Sequence, residues 1–536
     1  MNKQLVISLA VWIALLALPF ALRQKEPGGA SPVADSNTDT LVIISAHNKA
    51  ARDEYARAFG EYYYKKHGRR IKLDFRTVGG TSAISKYLSD RFEAEFRAYY
   101  EKKHPGEWDD EVAKAFADDK IDPNDPKVPE KLRRARREFL ESGVGIGIDI
   151  MAGGGTYELS RNARIGYAVD ARVMERHPEY FSPGVIPASF GGDRLYDKHG
   201  RYYGVVLSTF GISYNSDRIR ELGGRPPERW SDLGEPRFLN TLAVADPTKS
   251  GSANKCFEIV LQQVMSEERS PEKGWAPGLN LIKRIFANAR NISDSASKVV
   301  RDVCEGDAAA GMAIDTYGIS EEFWSAKVFD GEPHCFYVTP KGGTAVSADP
   351  IQLLRGAPNR KAAEEFIDFL LSVEGQKLHC FKVGAPGGPA INSLNRPPVR
   401  KDLYTPENRK HFFKPDYNPY ESGADFTYNP KWTGKYFNLL RVLFKSIAID
   451  PHDELVAAWR EICAAGGPDK VPPQVMAEFN YLPFDYAGAA QAAEALKSGK
   501  PAEIARLTRT WSDEARRHYR NAARLARAAR VAREGK

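Results

Sequence analysis

The sequence after residue 40 alternates short apolar runs with longer amphipathic ones, and this alternation constrains the fold most. Thr40–Ser45 and Ile71–Phe75 have the composition of buried strands, and Ala50–Lys65 between them has the apolar spacing of a helix. A glycine turn at Thr77–Ser82 then leads into a second helix. Strands that alternate with helices predict an α/β fold on an open sheet. Because ligands bind such sheets at the carboxyl ends of strands, a site is expected in the turns after strands.

The same pattern recurs at Leu242–Met265, where a short strand leads through a polar turn into an amphipathic helix. In the turn, Asp246–Ser252, either Ser250 or Ser252 is placed to cap the helix. The free N–H groups of a helix start, beside hydroxyls and Lys249, would form a seat for an anionic oxygen. A capped connection that binds no ligand is the alternative, because caps are commoner than binding sites.

A third turn is rich in glycine. Val144–Met151 predicts a strand, and Ala152–Tyr157 after it contains three consecutive glycines. Glycine lets the backbone approach a ligand closely and exposes N–H groups. This turn is therefore a second candidate for ligand binding, with an unoccupied tight turn as the alternative.

Length and charge limit the classes of function. A chain of 536 residues exceeds what one hydrophobic core usually serves, so at least two compact units are expected. The formal net charge is +7, and residues 501–536 contain ten Lys and Arg against four Asp and Glu. Nearly all of the excess therefore lies in the tail. The rest of the chain is close to neutral, so nucleic acid is not expected as a partner.

The N-terminus carries a hydrophobic segment. Eighteen uncharged residues, Leu5–Leu22, follow Lys3, as in the h-region and n-region of an export signal. We expect residues 1–25 to be either a signal peptide or a membrane anchor, and residues 26–39 to be a flexible linker. Both interpretations predict a periplasmic or other extracytoplasmic location, with membrane contact through the N-terminal helix if that helix is retained.

The five cysteines are widely spaced and include no CxxC pair, which gives no support for a metal cluster or thioredoxin-like chemistry. An odd number in an exported chain leaves at least one thiol unpaired or intermolecular. We interpret them as buried, small apolar residues. They are Cys256, Cys304, Cys335, Cys380 and Cys463.

Six motifs occur in an order that points to a known family. They are DIMAGGGTYEL (Asp149–Leu159), YYGVVLSTFGISYN (Tyr202–Asn215), RWSDLGEPRF (Arg229–Phe238), DPTKSGS (Asp246–Ser252), GDAAAGMAIDTYG (Gly306–Gly318) and PKGGTAVSADPIQLLRGAPNRKAAEEFIDFLLSVEGQ (Pro340–Gln376). Together they resemble the extracellular, periplasmic solute-binding proteins of bacterial ABC importers, of the type that includes the ferric-ion-binding proteins. The resemblance runs from about Thr40 to Asn395 and fades beyond it.

The resemblance implies an α/β, two-lobed periplasmic-binding-protein fold of type II, in which each lobe is a mixed sheet flanked by helices. Lobe 1 is expected at residues 40–206, lobe 2 at 207–338, and the return to lobe 1 at 339–395. A charged helical insertion is expected at about 92–142, on the surface, because mixed-sign helices normally face water. Residues 396–536 are expected to be a helical C-terminal region whose basic tail contacts anionic lipid or a partner, or is an exposed basic helix.

The family binds a solute by closing two lobes on it, and the solute stabilises the closed form by contacting both. The expected partners are a small-molecule solute and an inner-membrane ABC permease, without a cofactor. Most candidate cleft residues are hydroxyls or backbone donors, which suit phosphate, phosphonate or sulfate oxygens. These candidates are Asn48, Thr81, Ser82, Gly154, Thr156, Ser208, Thr209, Ser250, Ser252, Asp315 and Tyr317.

A ferric-ion site is the alternative within the same family. Iron-binding members place two adjacent tyrosines where this chain has Asp315, Thr316 and Tyr317, and a histidine where it has Asn48, with His47 beside it. The ligand set is incomplete, which disfavours a bare ferric ion. Asp315 and Tyr317 nevertheless remain as candidate iron ligands, because a bound anion can supply further oxygens.

An enzyme and a scaffold are the competing classes of function. The chain has no GxSxG, HExxH or Walker motif, and no cysteine with a supporting histidine. Lys249 beside Ser250 is compatible with a Ser/Lys hydrolase, but a capping serine after a proline turn is commoner, and we expect no enzymatic activity. The charged insertion and the basic tail are compatible with a membrane-tethered sensor or scaffold without a transport role.

Overall fold

The computed structural model describes residues 37–328 and 331–534. The strands of this part of the chain are β1 (Thr38–Ser45), β2 (Arg70–Arg76), β3 (Ile150–Ala152), β4 (Ala168–Val169), β5 (Ser189–Phe190), β6 (Asp193–Arg194), β7 (Tyr203–Ser208), β8 (Phe210–Asn215), β9 (Leu242–Ala245), β10 (Ala289–Ser293), β11 (Ala310–Ile314), β12 (Cys335–Val338) and β13 (Ser347–Leu354).

The α-helices of the same residues follow in chain order. They are α1 (Lys49–His67), α2 (Thr81–Lys103), α3 (Asp110–Ala115), α4 (Glu130–Glu141), α5 (Thr156–Ile165), α6 (Val173–Arg176), α7 (Ser216–Glu221), α8 (Gly251–Glu267), α9 (Pro271–Ala287), α10 (Ala296–Cys304), α11 (Asp315–Val328), α12 (Arg360–Leu371), α13 (Val373–Cys380), α14 (Pro406–Arg409), α15 (Pro419–Ser422), α16 (Phe437–Phe444), α17 (His452–Ala464), α18 (Pro473–Phe479), α19 (Ala489–Ser498) and α20 (Pro501–Glu534). A π-helical turn, Lys445–Ile449, continues α16.

The strands form two mixed sheets, and a short hairpin pairs β5 with β6. The first sheet has the order β2–β1–β3–β13–β4, with β7 also paired to β13, and the second has the order β10–β9–β11–β8–β12. In the first sheet β1 runs parallel to β2 and β3, whereas β13 runs antiparallel to β3. In the second, β9 runs parallel to β10 and β11, whereas β8 runs antiparallel to β11. Two mixed sheets flanked by helices confirm the expected two-lobed α/β fold of type II.

The two sheets are joined at two crossings. β7 belongs to the first sheet and β8 to the second, and only Thr209 separates them in sequence. The chain returns to the first sheet between β12 and β13. The backbone N–H of Phe210 donates to Thr344 Oγ1 at 3.0 Å, which ties the two crossings to each other. The chain crosses between the lobes a third time further on, because Tyr420 packs in the core of the first lobe and Phe426 in the core of the second.

One predicted strand is much shorter than expected. Of the segment Val144–Met151 only the last two residues belong to β3, and residues 144–149 have no regular structure. The backbone packs closely here, because a β-carbon at Gly145 would lie 2.3 Å from the carbonyl oxygen of Gly356. The alternation of Val and Ile with glycine has the pattern of a strand, but here the glycines allow an irregular path.

The charged segment at 92–142 is helical, but the prediction that it simply faces water is wrong for one of its faces. Phe92, Phe96 and Tyr100 follow one another every four residues along α2 and are fully buried. The Phe96 ring lies 5.2 Å from that of Phe139 on α4 and 5.1 Å from that of Phe116, measured between ring centroids. The segment therefore has an aromatic core beneath its charged surface, and the density of charge conceals that core in the sequence.

The C-terminal region packs against the second sheet's helices and shares their core. Buried side chains of α16, α17 and α20 lie in one continuous apolar cluster with those of α8 and α9. The ring of Phe444 on α16 packs at a tilt against that of Phe257 on α8, with ring centroids 5.5 Å apart. Residues beyond 436 are therefore built into the lobe that contains β8–β12.

The basic helix α20 is only partly exposed, so the expectation of a freely exposed basic helix is wrong for one face. Its alanine stripe is buried, including Ala515, Ala522 and Ala526. Part of its charge is neutralised by α17, since Arg520 pairs with Glu454 at 2.7 Å. Arg527 likewise pairs with a carboxylate of α17. Alanine at helical spacing marks the buried face here, and the arginines cover its edges.

The cysteine prediction is wrong for two of the five residues. Cys304 at the end of α10 and Cys335 at the start of β12 form a disulfide. Cys256 and Cys380 are buried free thiols, as predicted, and Cys463 is half-buried and free. The disulfide links a helix and a strand of the second lobe across 31 residues of sequence.

The predicted signal peptide or anchor at residues 1–25 lies outside the described residues. So do residues 26–36, which form most of the predicted linker. β1 begins at Thr38, so the last two residues of that linker belong to the sheet. Among the helices of residues 37–328 and 331–534, none combines the length and the apolar character needed to span a bilayer.

Candidate functional site

Three helices begin where the two lobes face each other. α2 starts after Gly80 and α5 after Gly155, and neither start has a side-chain cap. α8 starts after Ser250, whose hydroxyl accepts a hydrogen bond from the N–H of Ala253 at 3.2 Å. Within the described chain the first two N–H groups of each helix find no acceptor. Each start therefore presents free donors and the positive end of a helix dipole.

These helix starts lie close together in space. A β-carbon at Gly154, just before α5, would lie 2.7 Å from Cγ2 of Thr81 at the start of α2. A β-carbon at Gly251 of α8 would lie 4.0 Å from Cβ of the same threonine, and one at Gly80 would lie 3.7 Å from the carbonyl oxygen of Lys249. The two helix starts of lobe 1 thus face the helix start of lobe 2 across the cleft.

Six of the residues predicted from the sequence lie at these helix starts. They are Thr81, Ser82, Gly154, Thr156, Ser250 and Ser252. The N–H of Gly154 is not free, because it donates to Oδ1 of Asp349 at 2.9 Å. The hydroxyl oxygen of Thr156 is buried and has no hydrogen-bond partner among the described residues.

Ser250 is a helix cap in this structure, which allows a stability prediction. Ser250→Ala removes the acceptor for the N–H of Ala253 and is expected to lower the free energy of unfolding by about 1 kcal/mol. Ser252→Ala is the matched control, because its hydroxyl makes no hydrogen bond within the described chain. Urea unfolding of both variants measures the difference. Equal stability of the two would contradict the capping role.

Asn48 lies apart from this arrangement. It is exposed and caps α1, with its side-chain oxygen accepting from the N–H of Ala51 at 3.0 Å. Its neighbour His47 points inward instead, with Nε2 3.1 Å from Oδ2 of Asp349. The structure thus places the histidine, and not the asparagine, among the buried charges of the cleft.

A buried charge cluster is centred on Asp349 of β13. Its carboxylate pairs with the guanidinium of Arg396 and with the ring of His47. Nη1 of Arg396 also donates to the hydroxyl of Tyr55 at 3.2 Å. Burial alone would raise the pKa of Asp349, but the charge of Arg396 and the contact with His47 hold that pKa well below its usual value. Burial and the nearby guanidinium lower the pKa of His47.

A second cluster surrounds Asp315 at the first turn of α11. Its Oδ2 accepts from the hydroxyl of Tyr417 at 2.8 Å, and that hydroxyl also contacts Oγ1 of Thr209 at the crossing. Thr209 Oγ1 lies 3.0 Å from the hydroxyl of Tyr337. Burial raises the pKa of Asp315 to about 6. Burial also raises the pKa of Tyr417, so its proton stays on the phenol and is donated to Asp315.

The remaining predicted residues are Tyr317 and Ser208. Tyr317 is half-buried, and its hydroxyl makes no hydrogen bond within the described chain. Burial raises its pKa, and the charge of Arg396 acts in the opposite direction. Ser208 ends β7, opposite Ser347 of β13. Ser208 and Thr209 thus lie where the chain crosses from the first sheet to the second.

Sequence reasoning missed Asp349, Arg396, Tyr417 and Arg441. Arg396 and Tyr417 belong to the stretch where the resemblance fades, and Arg441 lies on α16 beyond it. One signal was present for Arg441, because it is the only charged residue in the apolar run FNLLRVLF. A lone cation in such a run needs a buried partner or a ligand.

One group of side chains in the described part of the chain could hold a metal ion. The carboxylates of Asp302, Glu305 and Asp307 lie close enough to one another to hold an ion. Lys298 already neutralises Asp302 at 2.5 Å, and the other two are exposed. This acidic group lies at the end of α10 and includes none of the predicted cleft residues.

Comparison with known proteins gives partial matches. Residues 179–405 match the family described as bacterial extracellular solute-binding protein. The phosphoglycerate transport regulatory protein PgtC of Salmonella typhimurium is 28% identical over 174 residues, or 32% of this chain and 39% of PgtC. A periplasmic protein of the same organism, named for binding 2-aminoethylphosphonate, is 25% identical over 243 residues, or 44% of this chain and 67% of that protein. The chain therefore spans about two fifths of the length of PgtC.

Solved structures match over a larger share of the chain. The periplasmic binding protein AfuA from Actinobacillus pleuropneumoniae, with exogenous fructose-6-phosphate bound, has a TM-score of 0.46 and 18% identity. Iron-bound HitA from Pseudomonas aeruginosa has a TM-score of 0.47 and 16% identity. Each match covers 75% of this chain and 98% of the other. Residues 179–405 thus resemble the bacterial extracellular solute-binding proteins, the family that the motifs indicate.

Proposed function

We propose that this protein is the extracellular solute-binding component of an ABC transporter. It captures a small anionic solute of the phosphate or phosphonate kind between its two lobes, in the periplasm, and delivers it to an inner-membrane permease. It does so without catalysing a reaction. One observation carries this proposal: three helix starts with free N–H groups, two from lobe 1 and one from lobe 2, face one another across the cleft.

The physical chemistry of this arrangement favours an anion. The N-terminus of a helix carries roughly half a positive charge, and its free N–H groups point at whatever lies beyond it. Hydroxyls of Thr81, Ser82 and Ser252 add donors without adding negative charge. A solute held by helix starts of both lobes would stabilise the closed form, which is how such a protein couples binding to closure.

The relatives support the chemical class. PgtC is named for phosphoglycerate transport, and another relative is named for binding 2-aminoethylphosphonate. Both compounds carry a tetrahedral phosphorus group with anionic oxygens. Such oxygens accept several N–H and O–H hydrogen bonds at once, which is what the three helix starts offer.

The alternative solute is ferric iron, held by Asp315 and Tyr317. It is less favoured, because Oδ2 of Asp315 already accepts from Tyr417 and the position between the two candidates is Thr316. The positive charge of Arg396 also acts on both candidates, and it would oppose a trivalent cation. A second alternative is a membrane-tethered sensor or scaffold without a transport role.

Titration of the purified chain with phosphorus compounds tests the proposal. Inorganic phosphate, 3-phosphoglycerate and 2-aminoethylphosphonate would each be tested by calorimetry, with ferric citrate followed by absorbance in parallel. We expect saturable binding of at least one phosphorus compound. At a hundredfold excess over the dissociation constant, the bound compound should add about 2.7 kcal/mol to the free energy of unfolding.

The titration with ferric citrate has its own control variant. Ferric citrate is expected to give no tyrosinate-to-iron absorption band, since the tyrosine pair is broken. A band that appears in the natural chain and disappears in Tyr317→Phe would support iron instead. Absence of binding in every arm would favour the scaffold.

A further inference from the structure

Arg441 lies outside the family segment, on the short helix α16 of the C-terminal region. That helix is fixed to lobe 2, because the side-chain amide of Asn254 on α8 donates to the carbonyl oxygen of Phe437 at 2.9 Å. Phe444 at the other end of α16 packs on Phe257 of α8. Arg441 is therefore held in a fixed position relative to the start of α8.

The side chain of Arg441 extends from lobe 2 to lobe 1 and is only 14% exposed. Its Nη1 donates to Oγ of Ser82 at 3.2 Å, one residue inside the start of α2. Its Nη2 lies 3.4 Å from Oε1 of Glu158, in the first turn of α5. A β-carbon at Gly251 would lie 3.5 Å from the same Nη2. The guanidinium thus touches the first turns of all three helices that face one another in the cleft.

The hydrogen-bonding capacity of this guanidinium is not used up. Arginine has five N–H donors, and charge-assisted bonds to carboxylates are normally about 2.7–2.9 Å long. The contact with Glu158 is longer, and Oε2 of Glu158 accepts from Ser85 at 3.1 Å. The Nε atom of Arg441 is buried and has no partner in the part of the chain that the structure describes. A buried donor of a charged group without an acceptor is unfavourable until a ligand supplies one.

The positive charge around Arg441 is not fully balanced by nearby carboxylates, which favours binding of an anion. Glu158 balances one positive charge, and three helix starts add their positive ends to the same space. Lys249 beside the start of α8 is exposed, so its charge is largely screened by water. A solute with anionic oxygens would meet the guanidinium, the free N–H groups and the hydroxyl of Ser82 together.

We infer that Arg441 binds the anionic group of the solute directly, so that the C-terminal region supplies a third part of the binding site. This deepens the proposed capture of an anionic solute and rests on it. The planar fork of arginine matches two oxygens of a phosphoryl or phosphonyl group. Arg441 then sets specificity for that group, and the family segment alone lacks this contact.

Three variants test the role of Arg441 by calorimetry with inorganic phosphate, 3-phosphoglycerate and 2-aminoethylphosphonate. Arg441→Met removes the charge and keeps the length, and it is expected to weaken binding about ten- to a hundredfold. Arg441→Lys keeps the positive charge but not the planar fork of the guanidinium. Its affinity is expected to lie between that of the natural chain and that of Arg441→Met. Lys445→Gln is the matched control, because Lys445 lies one turn further on, is exposed and pairs with Asp450. It should bind like the natural chain.

The outcomes separate this inference from the proposed function. If the natural chain binds none of the three compounds, the proposed function fails. If the natural chain binds and Arg441→Met binds equally well or more tightly, Arg441 only holds the lobes together and the inference fails. Should Arg441→Met not fold, Arg441→Lys decides: affinity equal to that of the natural chain overturns the direct contact, and a severalfold loss supports it.

Discussion

Arg396→Met is expected to lower the free energy of unfolding by about 3–5 kcal/mol, because it leaves a buried carboxylate without its counter-charge. The carboxylate is that of Asp349, which pairs with Arg396 inside the cleft. Neither side chain is more than one-fifth exposed. His47 remains as a hydrogen-bond partner, but burial lowers its pKa, so it is neutral near pH 7 and supplies no charge.

The pH dependence of this stability loss shows whether the buried ion pair causes it. In the natural chain the pKa of Asp349 is lowered, so its pair contributes stability above the unfolded pKa of about 4, and this is lost only as pH falls through the folded pKa. In Arg396→Met the guanidinium no longer opposes burial at Asp349 and no longer lowers the pKa of His47, so both pKa values rise relative to the natural chain. As pH falls, the carboxyl or the imidazole takes up a proton, and the unopposed buried charge disappears. The stability difference should therefore shrink between pH 7 and pH 4.

Urea unfolding at both pH values measures this difference. Arg137→Met is the matched control, since Arg137 forms a largely exposed pair with Glu130 and should change stability by less than about 1 kcal/mol. Asp349→Asn combined with Arg396→Met should be more stable than Arg396→Met alone, because no buried charge is left over. A loss that is the same at both pH values would contradict the role of the ion pair.

The fold could be predicted because its signals are local. The strand and helix at Leu242–Met265 and the helix start at Thr81 follow from apolar periodicity and turn chemistry within a few residues. The errors arose where two local signals compete. In α2 the charges suggested a solvated helix, while Phe92 and Phe96 at helical spacing indicated a buried face.

The candidate site was less predictable, because its charged members come together only in the folded chain. Ser82 and Arg441 are separated by 359 residues, and Asp349 and Arg396 by 47. No turn or periodicity within one segment specifies such a pair. Ser250 could be identified because capping is local, whereas Arg441, which faces the helix starts, belongs to a region without a recognisable motif.

Trp459→Ala is expected to lower the free energy of unfolding by about 3–5 kcal/mol, because it opens a cavity in a shared core. Trp459 on α17 is fully buried, with its ring 5.3 Å from that of Phe479. Its Nε1 donates to Oδ1 of Asn288 at 2.7 Å. Asn288 follows α9, and its amide in turn donates to the carbonyl oxygens of Leu233 and Glu235 at 2.9 Å. The substitution therefore also removes a partner from a buried amide of lobe 2.

Trp459→Phe separates the contribution of the cavity from that of the hydrogen bond. It keeps most of the apolar volume and loses only the hydrogen bond, at about 1–3 kcal/mol.

The same core also determines which parts of the chain unfold together. Because α8, α9, α16 and α17 contribute to one apolar cluster, the C-terminal region and lobe 2 should unfold together. Solute affinity should then be lost at the same urea concentration as the helical signal of the C-terminal region. A variant that loses this helical signal early and still binds solute would show that the region folds as a separate domain, and would also remove the physical basis for Arg441 as part of the site.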